Sequence, residues 1–410
     1  MDNLGLNAVP SANRVHIGFF GLRNAGKSSL LNAVAGQELA IVSKIKGTTT
    51  DPVFKAMEIL PLGPVVIIDT PGIDDVGKLG AERVRSAKRV MNRIDIALLV
   101  TTAGTVQKAA EEELIRLFNE KEIPYLVVKN KCDTLSDPLP ADGGAEIFVS
   151  AKTGFNINLL KERIAAIIPV KAETPRIIGD LISPSDIVIL VTPIDTSAPK
   201  GRLILPQQQT IRDILEAGAI ALVVKEYELK DALEGLVKKP RMVITDSQVF
   251  EKVSAEVPTD IPLSSFSILF ARYKGFLVSA VKAVTRLDSI EDGDKILICE
   301  GCTHHRQCDD IGTVKIPRWI RDYTGKTPDF SNTAGSGFPD DLSEYKLIIH
   351  CGGCMLNERE MLFREKSALS QNAPMTNYGI LIAHIQGILK RSLSVFPLIL
   401  AELENYGGHL

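Results

Sequence analysis

The feature that most constrains the fold of this chain is the run Gly21-Leu-Arg-Asn-Ala-Gly-Lys-Ser28, a complete G-x-x-x-x-G-K-S motif. It follows a short apolar stretch at 14–20 and precedes a helix-forming segment that begins at Ser29. A glycine-rich loop between a strand and a helix directs its backbone N–H groups at phosphates, and the helix N-terminus adds positive potential. The motif therefore predicts a nucleotide phosphate site in a parallel α/β sheet.

Apolar runs alternate with helix-length segments along the chain, which is the pattern of an α/β protein. In the N-terminal part, strands are predicted at 14–20, 65–69, 94–100, 125–130 and 146–150. Such runs indicate a parallel sheet with helices on both faces. We expect three domains: a P-loop nucleotide-binding domain over 1–170, followed by two smaller α/β domains over 171–262 and 263–410.

The two smaller domains carry alternating patterns of their own. The second is predicted to contain strands at 186–192, 219–224 and 241–245, with helices at 207–217, 230–237 and 247–257. Three strands make a small sheet, so an edge needs cover, either from a second copy of the chain or from a neighbouring domain. The third domain is predicted to open with a helix over 266–287 and to contain strands at 295–300 and 346–350.

Charge and hydropathy exclude some function classes. The chain has 47 Lys and Arg against 50 Asp and Glu, a formal net charge of -3, so it lacks the basic field that nucleic-acid binding requires. Its N-terminal residues lack the basic and apolar regions of a signal peptide, and no run of about 18 uncharged apolar residues occurs. We expect a cytoplasmic protein without nucleic-acid or membrane partners.

One aspartate and one glycine, Asp69 and Gly72, complete the predicted phosphate site. Lys27 is expected to reach the β- and γ-phosphates and Ser28 to bind Mg2+. Asp69-Thr-Pro-Gly72 follows an apolar strand, where Asp69 orients metal-bound water and the Gly72 N–H meets the γ-phosphate. The nucleotide-binding residues predicted in this half of the site are Gly21, Asn24, Ala25, Gly26, Lys27, Ser28, Ser29, Thr48, Thr49, Asp69 and Gly72.

The base specificity is predicted from two later strand ends. Asn130-Lys131-Cys-Asp133 follows one strand, and Asp133 is suited to accept two hydrogen bonds from guanine, from N1–H and the exocyclic amine. Ser150-Ala151-Lys152 follows the next strand and supplies a backbone donor for the guanine oxygen. Adenine does not offer this hydrogen-bonding pattern, so the nucleotide is predicted to be GTP or GDP.

These motifs resemble those of the translation-factor-related GTPases, especially the branch that contains Era and TrmE/MnmE. The matching residues are Asn24 in the phosphate loop and Gly47-Thr48-Thr49 in the first switch. The resemblance covers about the first 170 residues and implies that Thr49, or Thr48, contacts Mg2+ and that Asn24 helps to bind K+. Ile73 stands where Ras-like enzymes carry the water-positioning glutamine, so intrinsic GTP hydrolysis should be slow. Catalytic roles are therefore assigned to Lys27, Asn24, Thr49 and Gly72.

Five of the six cysteines fall in the last third of the chain, which in a reducing compartment indicates metal or redox chemistry. Cys351-x-x-Cys354 places two thiolates near one metal, and Cys302 ends another strand of the same predicted sheet. Three thiolates favour an iron-sulfur cube with one open iron position. Four-thiolate zinc remains open because Cys299-x-x-Cys302 forms a second C-x-x-C pair, although Cys299 and Cys308 are better interpreted as buried or incidental thiols.

The pattern Cys302-Thr-His304, then His350-Cys351-Gly-Gly-Cys354, resembles the C-x-H and H-C-x-x-C signature of the HydF family, the GTPases of FeFe-hydrogenase maturation. The resemblance covers the whole chain. It implies a homodimer that binds a 4Fe-4S cluster through Cys302, Cys351 and Cys354. The fourth cluster position would be exchangeable, with Glu300, His304, His305 and His350 as candidates.

The same resemblance implies a carrier that receives a diiron precursor from radical-SAM maturases and delivers it to apo-FeFe-hydrogenase. Two other functions stay open on the residues alone. One is a GTPase of tRNA modification or ribosome assembly with a structural zinc domain, and the other is a redox-sensing GTPase.

Overall fold

The computed structural model describes residues 9–36, 52–72, 78–136, 144, 146–168, 176–194, 203–302, 310–335 and 337–405. The chain divides into two compact units, Met1–Ala172 and Glu173–Leu410. Within the described ranges, no helix has both the length and the apolar character needed to cross a bilayer. The three-domain division stays a prediction.

The N-terminal unit is built around one six-stranded sheet with the strand order β2-β3-β1-β4-β5-β6. Its strands are β1 (Val15–Phe20), β2 (Val53–Ile59), β3 (Gly63–Asp69), β4 (Ile96–Thr102), β5 (Tyr125–Asn130) and β6 (Glu146–Phe148). Its helices are α1 (Lys27–Ala35), α2 (Lys78–Met91), α3 (Ala109–Glu120) and α4 (Ile157–Ile167). The described residues of this unit also form 3-10 turns at Ser11–Asn13 and Cys132–Thr134.

The central strands of this sheet are buried because both faces are covered. Residues of opposite faces of β1 pack into two separate apolar cores, Ile17 and Phe19 into one and Phe20 into the other. All five predicted strands are present and pair in parallel. The sequence prediction missed β2, which pairs antiparallel to β3 at the sheet edge. Its residues are half-exposed, so they lack the continuous apolar run of a buried strand.

The C-terminal unit contains two four-stranded parallel sheets, the first with the order β10-β9-β7-β8. Its strands are β7 (Ile187–Val191), β8 (Ile220–Val224), β9 (Met242–Thr245) and β10 (Leu263–Ser265). Its helices are α5 (Leu205–Glu216), α6 (Leu229–Gly235) and α7 (Phe250–Glu256), the last preceded by a 3-10 turn at Ser247–Val249. The prediction of three strands is corrected to four, because the short β10 adds to β9.

The second sheet of this unit has the order β12-β11-β13-β14. Its strands are β11 (Lys295–Glu300), β12 (Asp329–Ala334), β13 (Tyr345–His350) and β14 (Met375–Asn377). The remaining helices are α8 (Phe266–Tyr273), α9 (Leu277–Val284), α10 (Ile316–Thr324), α11 (Glu358–Ser370), α12 (Tyr378–Ile385), α13 (Leu389–Leu393) and α14 (Pro397–Asn405). Thr285–Ser289 forms a 3-10 helix and Ile311–Lys315 a π-helical turn before α10.

Both sheets of the C-terminal unit share one hydrophobic core, which extends from Ile177 to Leu403 along the chain. The continuous helix predicted over 266–287 is wrong at one point, since α8 and α9 are separate. Lys274 caps the first, and Gly275 then adopts φ 83°. A left-handed residue ends an α-helix, and glycine adopts that conformation without steric penalty.

Candidate nucleotide and cysteine sites

The phosphate loop joins β1 to α1 through residues with left-handed backbone conformations. Gly21, Asn24 and Gly26 have φ values of 143°, 63° and 89°. A Cβ on Gly21 would lie 2.2 Å from the Val100 carbonyl oxygen, and one on Gly26 would lie 2.4 Å from Asn130 Nδ2. Backbone conformation and close packing thus both require glycine at these two motif positions.

Lys27 is the first residue of α1, and its side chain is buried against the loop. Its Nζ donates hydrogen bonds to the carbonyl oxygens of Gly21 at 3.0 Å and Leu22 at 2.9 Å. The ammonium group therefore lies within the loop whose N–H groups are suited to phosphate oxygens. This is the position from which a lysine neutralises phosphate charge.

The predicted magnesium ligands lie beside each other. Ser28 Oγ donates to Asp69 Oδ2 at 2.8 Å, while Asp69 Oδ1 is buried and has no hydrogen-bond partner among the described residues. Burial raises the pKa of Asp69, and the Ser28 hydroxyl and the Lys27 charge oppose that rise. A hydroxyl beside an unsatisfied buried carboxylate oxygen fits the oxygen-ligand chemistry of Mg2+ and its bound water.

The guanine-recognition residues are held together by Asn130. Its Nδ2 donates to the Ala25 carbonyl oxygen at 3.1 Å, and its Oδ1 accepts from the Ala151 N–H at 3.1 Å. Asp133 is exposed, and its Oδ1 accepts from Ser150 Oγ at 2.7 Å. The side chain of Asn130 thereby connects the phosphate loop to the segment expected to contact the guanine oxygen.

The remaining predicted nucleotide-site residues differ in their contacts and exposure. Lys131 Nζ donates to the Asn24 carbonyl oxygen at 2.5 Å. A Cβ on Gly72 would lie 3.0 Å from the backbone nitrogen of Arg23, so β3 ends close to the phosphate loop. Ser29 and Lys152 are exposed. The predicted switch residues Thr48 and Thr49, and Ile73, lie outside the described residues.

The cysteine site lies where two neighbouring parallel strands end. β11 leads into Cys302 and β13 leads directly into Cys351. The Cys351 N–H donates to the Cys299 carbonyl oxygen at 2.8 Å, which continues the pairing to the end of the strands. The prediction that both segments end at the same edge of one sheet is confirmed.

Three thiols at this edge lie within electrostatic reach of one another. Burial, together with the nearby Cys351 and Glu300, raises the pKa of Cys302 to about 11. Burial, together with Cys351 and Cys302, likewise raises the pKa of Cys354 to about 12. Adjacent buried thiols disfavour negative charge on each other, so a stable set of thiolates here requires a cation.

The sulfur of Cys351 is surrounded by backbone hydrogen-bond donors. Cys351 Sγ accepts hydrogen bonds from the Gly301 N–H at 3.1 Å and the Gly353 N–H at 3.4 Å, contacts that stabilise a metal-bound sulfur. Over the part of the chain that the structure describes, no group of three or more His, Cys, Asp or Glu side chains has metal-binding geometry. Cys299 is fully buried in β11, where its Sγ accepts from Thr333 Oγ1 at 3.3 Å.

The candidates for the fourth ligand differ in their surroundings. His350 is fully buried, with Nδ1 2.8 Å from the Cys351 carbonyl oxygen and Nε2 3.0 Å from Arg364 Nη1. A ligand role would break one of these hydrogen bonds. Glu300 ends β11, is 3% exposed, and has Oε1 3.5 Å from the Tyr378 hydroxyl. His304, His305 and Cys308 lie outside the described residues.

A buried ion pair that contacts His350 beside the cysteine site was not predicted from the sequence. Arg364 and Glu360, both on α11, are buried and joined by hydrogen bonds. The one sequence signal was their i, i+4 spacing, which is more typical of an exposed helical ion pair. Burial of this pair is a consequence of tertiary packing.

The strand-loop-helix geometry, the Ser28 and Asp69 contact and the Asp133 segment define the N-terminal unit as a P-loop GTPase domain. Three family models match the chain: the 50S ribosome-binding GTPase over 16–131, the hydrogen maturase F dimerization domain over 177–275, and the hydrogen maturase F tetramerization domain over 277–395. The two hydrogen maturase F models together cover more than half of the sequence. The chain belongs to the hydrogen maturase F family, the HydF family of hydrogenase maturation GTPases.

Several curated relatives match a part of this chain. The tRNA modification GTPase MnmE of Xanthomonas oryzae pv. oryzae (strain MAFF 311018) is 40% identical over 153 residues, which are 37% of this chain and 33% of that protein. MnmE of Dichelobacter nodosus (strain VCS1703A) is 35% identical over 159 residues, which are 37% of this chain and 34% of that protein. The chain thus spans about a third of the length of these relatives. A function in tRNA modification or ribosome assembly is not favoured, because the matches to the C-terminal unit are to hydrogen maturase F.

Solved structures with similar folds share little sequence. Era from Aquifex aeolicus, bound to GDP and aluminium fluoride, has a TM-score of 0.34 and 21% identity over 52% of this chain and 94% of that chain. A probable GTP-binding protein engB has a TM-score of 0.32 and 24% identity over 38% of this chain and 100% of that chain. These likenesses are weak and concern the fold alone.

Proposed function

We propose that this chain is a GTP-hydrolysing scaffold for assembly of the diiron subcluster of FeFe-hydrogenase. It holds a 4Fe-4S cluster in the C-terminal unit, receives a diiron precursor from radical-SAM maturases and delivers it to apo-hydrogenase. What supports the proposal is that Cys302 and Cys351 follow two paired parallel strands and that Cys354 lies within electrostatic reach of both, in a chain whose other unit is a GTPase domain.

The nucleotide site acts through charge and position. Lys27 neutralises the β- and γ-phosphates, while Ser28 and Thr49 hold Mg2+ and Asp69 orients its bound water. The Gly72 N–H faces the γ-phosphate of GTP. Phosphoryl transfer needs little covalent participation by the protein, so these contacts lower the barrier by stabilising charge in the transition state.

Potassium is proposed as an additional activator. Asn24 is exposed in the phosphate loop, and its carbonyl oxygen already accepts from Lys131. Its side-chain oxygen is a hard ligand suited to K+, whose charge would replace that of an arginine finger. We expect GTP hydrolysis to be at least about tenfold faster in K+ than in Na+ and Asn24→Ala to lose the difference. Equal steady-state rates in the two salts would refute the role of K+.

The cluster ligands are proposed to be the three thiolates and Glu300. When bound, the cluster supplies an iron whose fourth ligand exchanges with a ligand of the diiron cargo. A carboxylate suits the exchangeable position because it binds iron more weakly than a thiolate. Glu300 is the last residue of β11, and its charge adds to the effect of burial in raising the pKa of Cys302 and of Cys351, which indicates that Glu300 lies near both.

Anaerobic reconstitution with iron and sulfide tests the cluster assignment. The wild-type chain should take up about four iron atoms and give an EPR signal after reduction. Cys302→Ala, Cys351→Ala and Cys354→Ala should each lose most of that iron, because two thiolates do not retain the cube. The matched control is Cys299→Ala, which removes a buried thiol three positions before Cys302 and should keep the iron.

Zinc in place of iron, or full iron content in Cys302→Ala, would overturn the proposal. A redox sensor would hold the cluster and yet fail to activate hydrogenase. Incubation of the loaded chain with apo-FeFe-hydrogenase and measurement of hydrogen evolution separates scaffold from sensor.

Self-association is indicated by the dimerization and tetramerization models that match the C-terminal unit. We propose a homodimer formed through β8. This strand lies at a sheet edge, and Ile220 and Val223 on it are 52% and 41% exposed. Exposed apolar strand edges favour pairing with another chain.

A further inference from the structure

Arg364 is one of the largest fully buried side chains of the molecule, with 1% exposure. It lies on α11 with its guanidinium 5.1 Å from the centre of the Phe338 ring. Glu360 Oε1 accepts from Arg364 Nε at 3.0 Å and from Nη2 at 2.8 Å. Burying such a pair costs desolvation energy, and an apolar pair of the same size often serves stability equally well. Stability alone therefore does not explain the pair.

The remaining contacts of Arg364 lead towards the cysteine site. Its Nη2 donates to the Gly335 carbonyl oxygen at 2.8 Å, just beyond β12, and its Nη1 donates to His350 Nε2 at 3.0 Å. The guanidinium therefore joins α11 to the ends of two strands of one sheet. A planar group with five fixed donors is suited to hold several acceptors in one arrangement.

The guanidinium also fixes the tautomer of His350. Arginine donates only, so His350 Nε2 must accept, and Nδ1 then carries the proton. That proton is donated to the Cys351 carbonyl oxygen at 2.8 Å. A continuous hydrogen-bonded path thus runs from Glu360 through Arg364 and His350 to the backbone of a cysteine ligand.

We propose that Arg364 is a positioning residue for the metal centre, which orients His350 against the Cys351 turn and raises the reduction potential of the cluster through its buried positive charge. This inference rests on the proposed cluster function. Reduction adds negative charge to the centre, and a fixed nearby cation stabilises the reduced form. Buried charges are screened by salt far less than exposed ones, so the effect acts through the protein interior.

The electrostatics of the thiols agree with this geometry. The Arg364 charge lowers the pKa of Cys351 against the larger effect of burial, and it does the same for Cys299. A cation whose charge affects the free thiols should also affect the charge state of a metal centre bound to them. Glu360 contacts Nε and Nη2 of the guanidinium and His350 contacts Nη1, so the opposite charge of Glu360 should have a smaller effect on the metal centre.

The test is a potentiometric EPR titration of the reconstituted full chain. Arg364→Gln removes the charge and should lower the reduction potential, making reduction about tenfold less favourable, or about 59 mV for one electron. Arg364→Lys keeps the charge and should retain most of the wild-type potential. Glu360→Gln removes the counter-charge and should raise the potential. Lys366→Gln, on the exposed surface of the same helix, matches the charge change of Arg364→Gln and should leave the potential unchanged.

Opposite shifts in Arg364→Gln and Glu360→Gln support the proposal, since nonspecific damage to the site would not reverse sign between them. Shifts in the same direction, or no difference between Arg364→Gln and Lys366→Gln, would overturn it. If Arg364→Gln retains too little iron to titrate, Glu360→Gln decides: a raised potential supports the proposal and an unchanged or lowered one refutes it. A wild-type chain that assembles no cluster would instead overturn the proposed function, and this inference with it.

Discussion

At Asp69, a carboxylate is held where one of its oxygens is buried without a hydrogen-bond partner among the described residues. Burial raises its pKa, so folding without nucleotide disfavours the charged carboxylate relative to the unfolded chain. The stability that the raised pKa of Asp69 contributes is fully present below the pKa of this group in the unfolded chain, near 3.8. It is lost as the pH rises through the pKa of Asp69 in the folded protein. At neutral pH the nucleotide-free chain therefore carries an electrostatic cost that Mg2+ binding would relieve.

We predict that Asp69→Asn stabilises the nucleotide-free protein at pH 7 by about 1 kcal/mol, because asparagine carries no charge to bury. The gain should shrink as the pH falls towards 4, where the wild-type acid is protonated. Urea unfolding from pH 4 to 8 measures this. GTP hydrolysis should fall by about 100-fold or more in the same variant, since bound water loses its orienting group.

The control for this prediction is Glu112→Gln, an exposed position on α3. Its effect on stability should stay within about 0.5 kcal/mol at every pH. A stability gain in Asp69→Asn that does not change with pH would contradict the electrostatic cause.

Residues whose roles depend on local sequence could be predicted, and residues whose roles depend on packing could not. The phosphate loop is one continuous segment, so Lys27, Ser28 and the required glycines follow from spacing. The burial of Arg364 has no such signal, because an arginine at a helical position next to Glu365 and Lys366 reads as surface. His350 was singled out as a candidate ligand, whereas its two hydrogen-bonded nitrogens depend on contacts with distant residues.

At the scale of elements, long apolar runs predict strands well, whereas short or polar strands cannot be predicted from the sequence. β4 and β11 are continuous apolar segments, and both were expected near their observed positions. β12, with the sequence DFSNTA, has no apolar run, and β10 and β14 have three residues each. Such strands form because neighbouring strands offer backbone partners, which is a property of the assembled sheet.

The edge strand β8 gives a prediction at this scale. Ile220→Lys together with Val223→Lys should weaken self-association at least about tenfold without unfolding the chain, because charged side chains on an edge oppose strand pairing. Sedimentation velocity across a concentration series measures the change. Leu215→Lys, at a position 60% exposed on α5 of the same region, is the control and should leave the oligomer intact. Unchanged association in the double variant would exclude β8 as the interface.

At the scale of the whole molecule, the chain has two compact units with their own cores. The two sheets of the C-terminal unit share one apolar core, so residues matched to the dimerization and tetramerization models pack as one body. A change at a self-association surface and a change at the cysteines therefore act on the same rigid unit.

We predict two calorimetric unfolding transitions for this chain. A hundredfold excess of GDP and Mg2+ over the dissociation constant should stabilise one of them by about 2.7 kcal/mol, a rise of roughly 5 to 10 °C. Lys27→Ala should abolish that rise while retaining the iron content, and Cys302→Ala should lose iron while retaining the rise. One cooperative transition that shifts as a whole with nucleotide would show that the units do not unfold separately.

The arrangement of sulfurs also bears on how the C-terminal unit resists damage. Gly301 and Cys351 are 50 positions apart and meet at one hydrogen bond. An inorganic core shared by the loops after β11 and β13 would act as a cross-link, closing a long loop that the unfolded chain must otherwise leave open. Oxygen that destroys such a core would therefore remove a cross-link as well as a cofactor. Proteases should then cleave the chain first in these two loops.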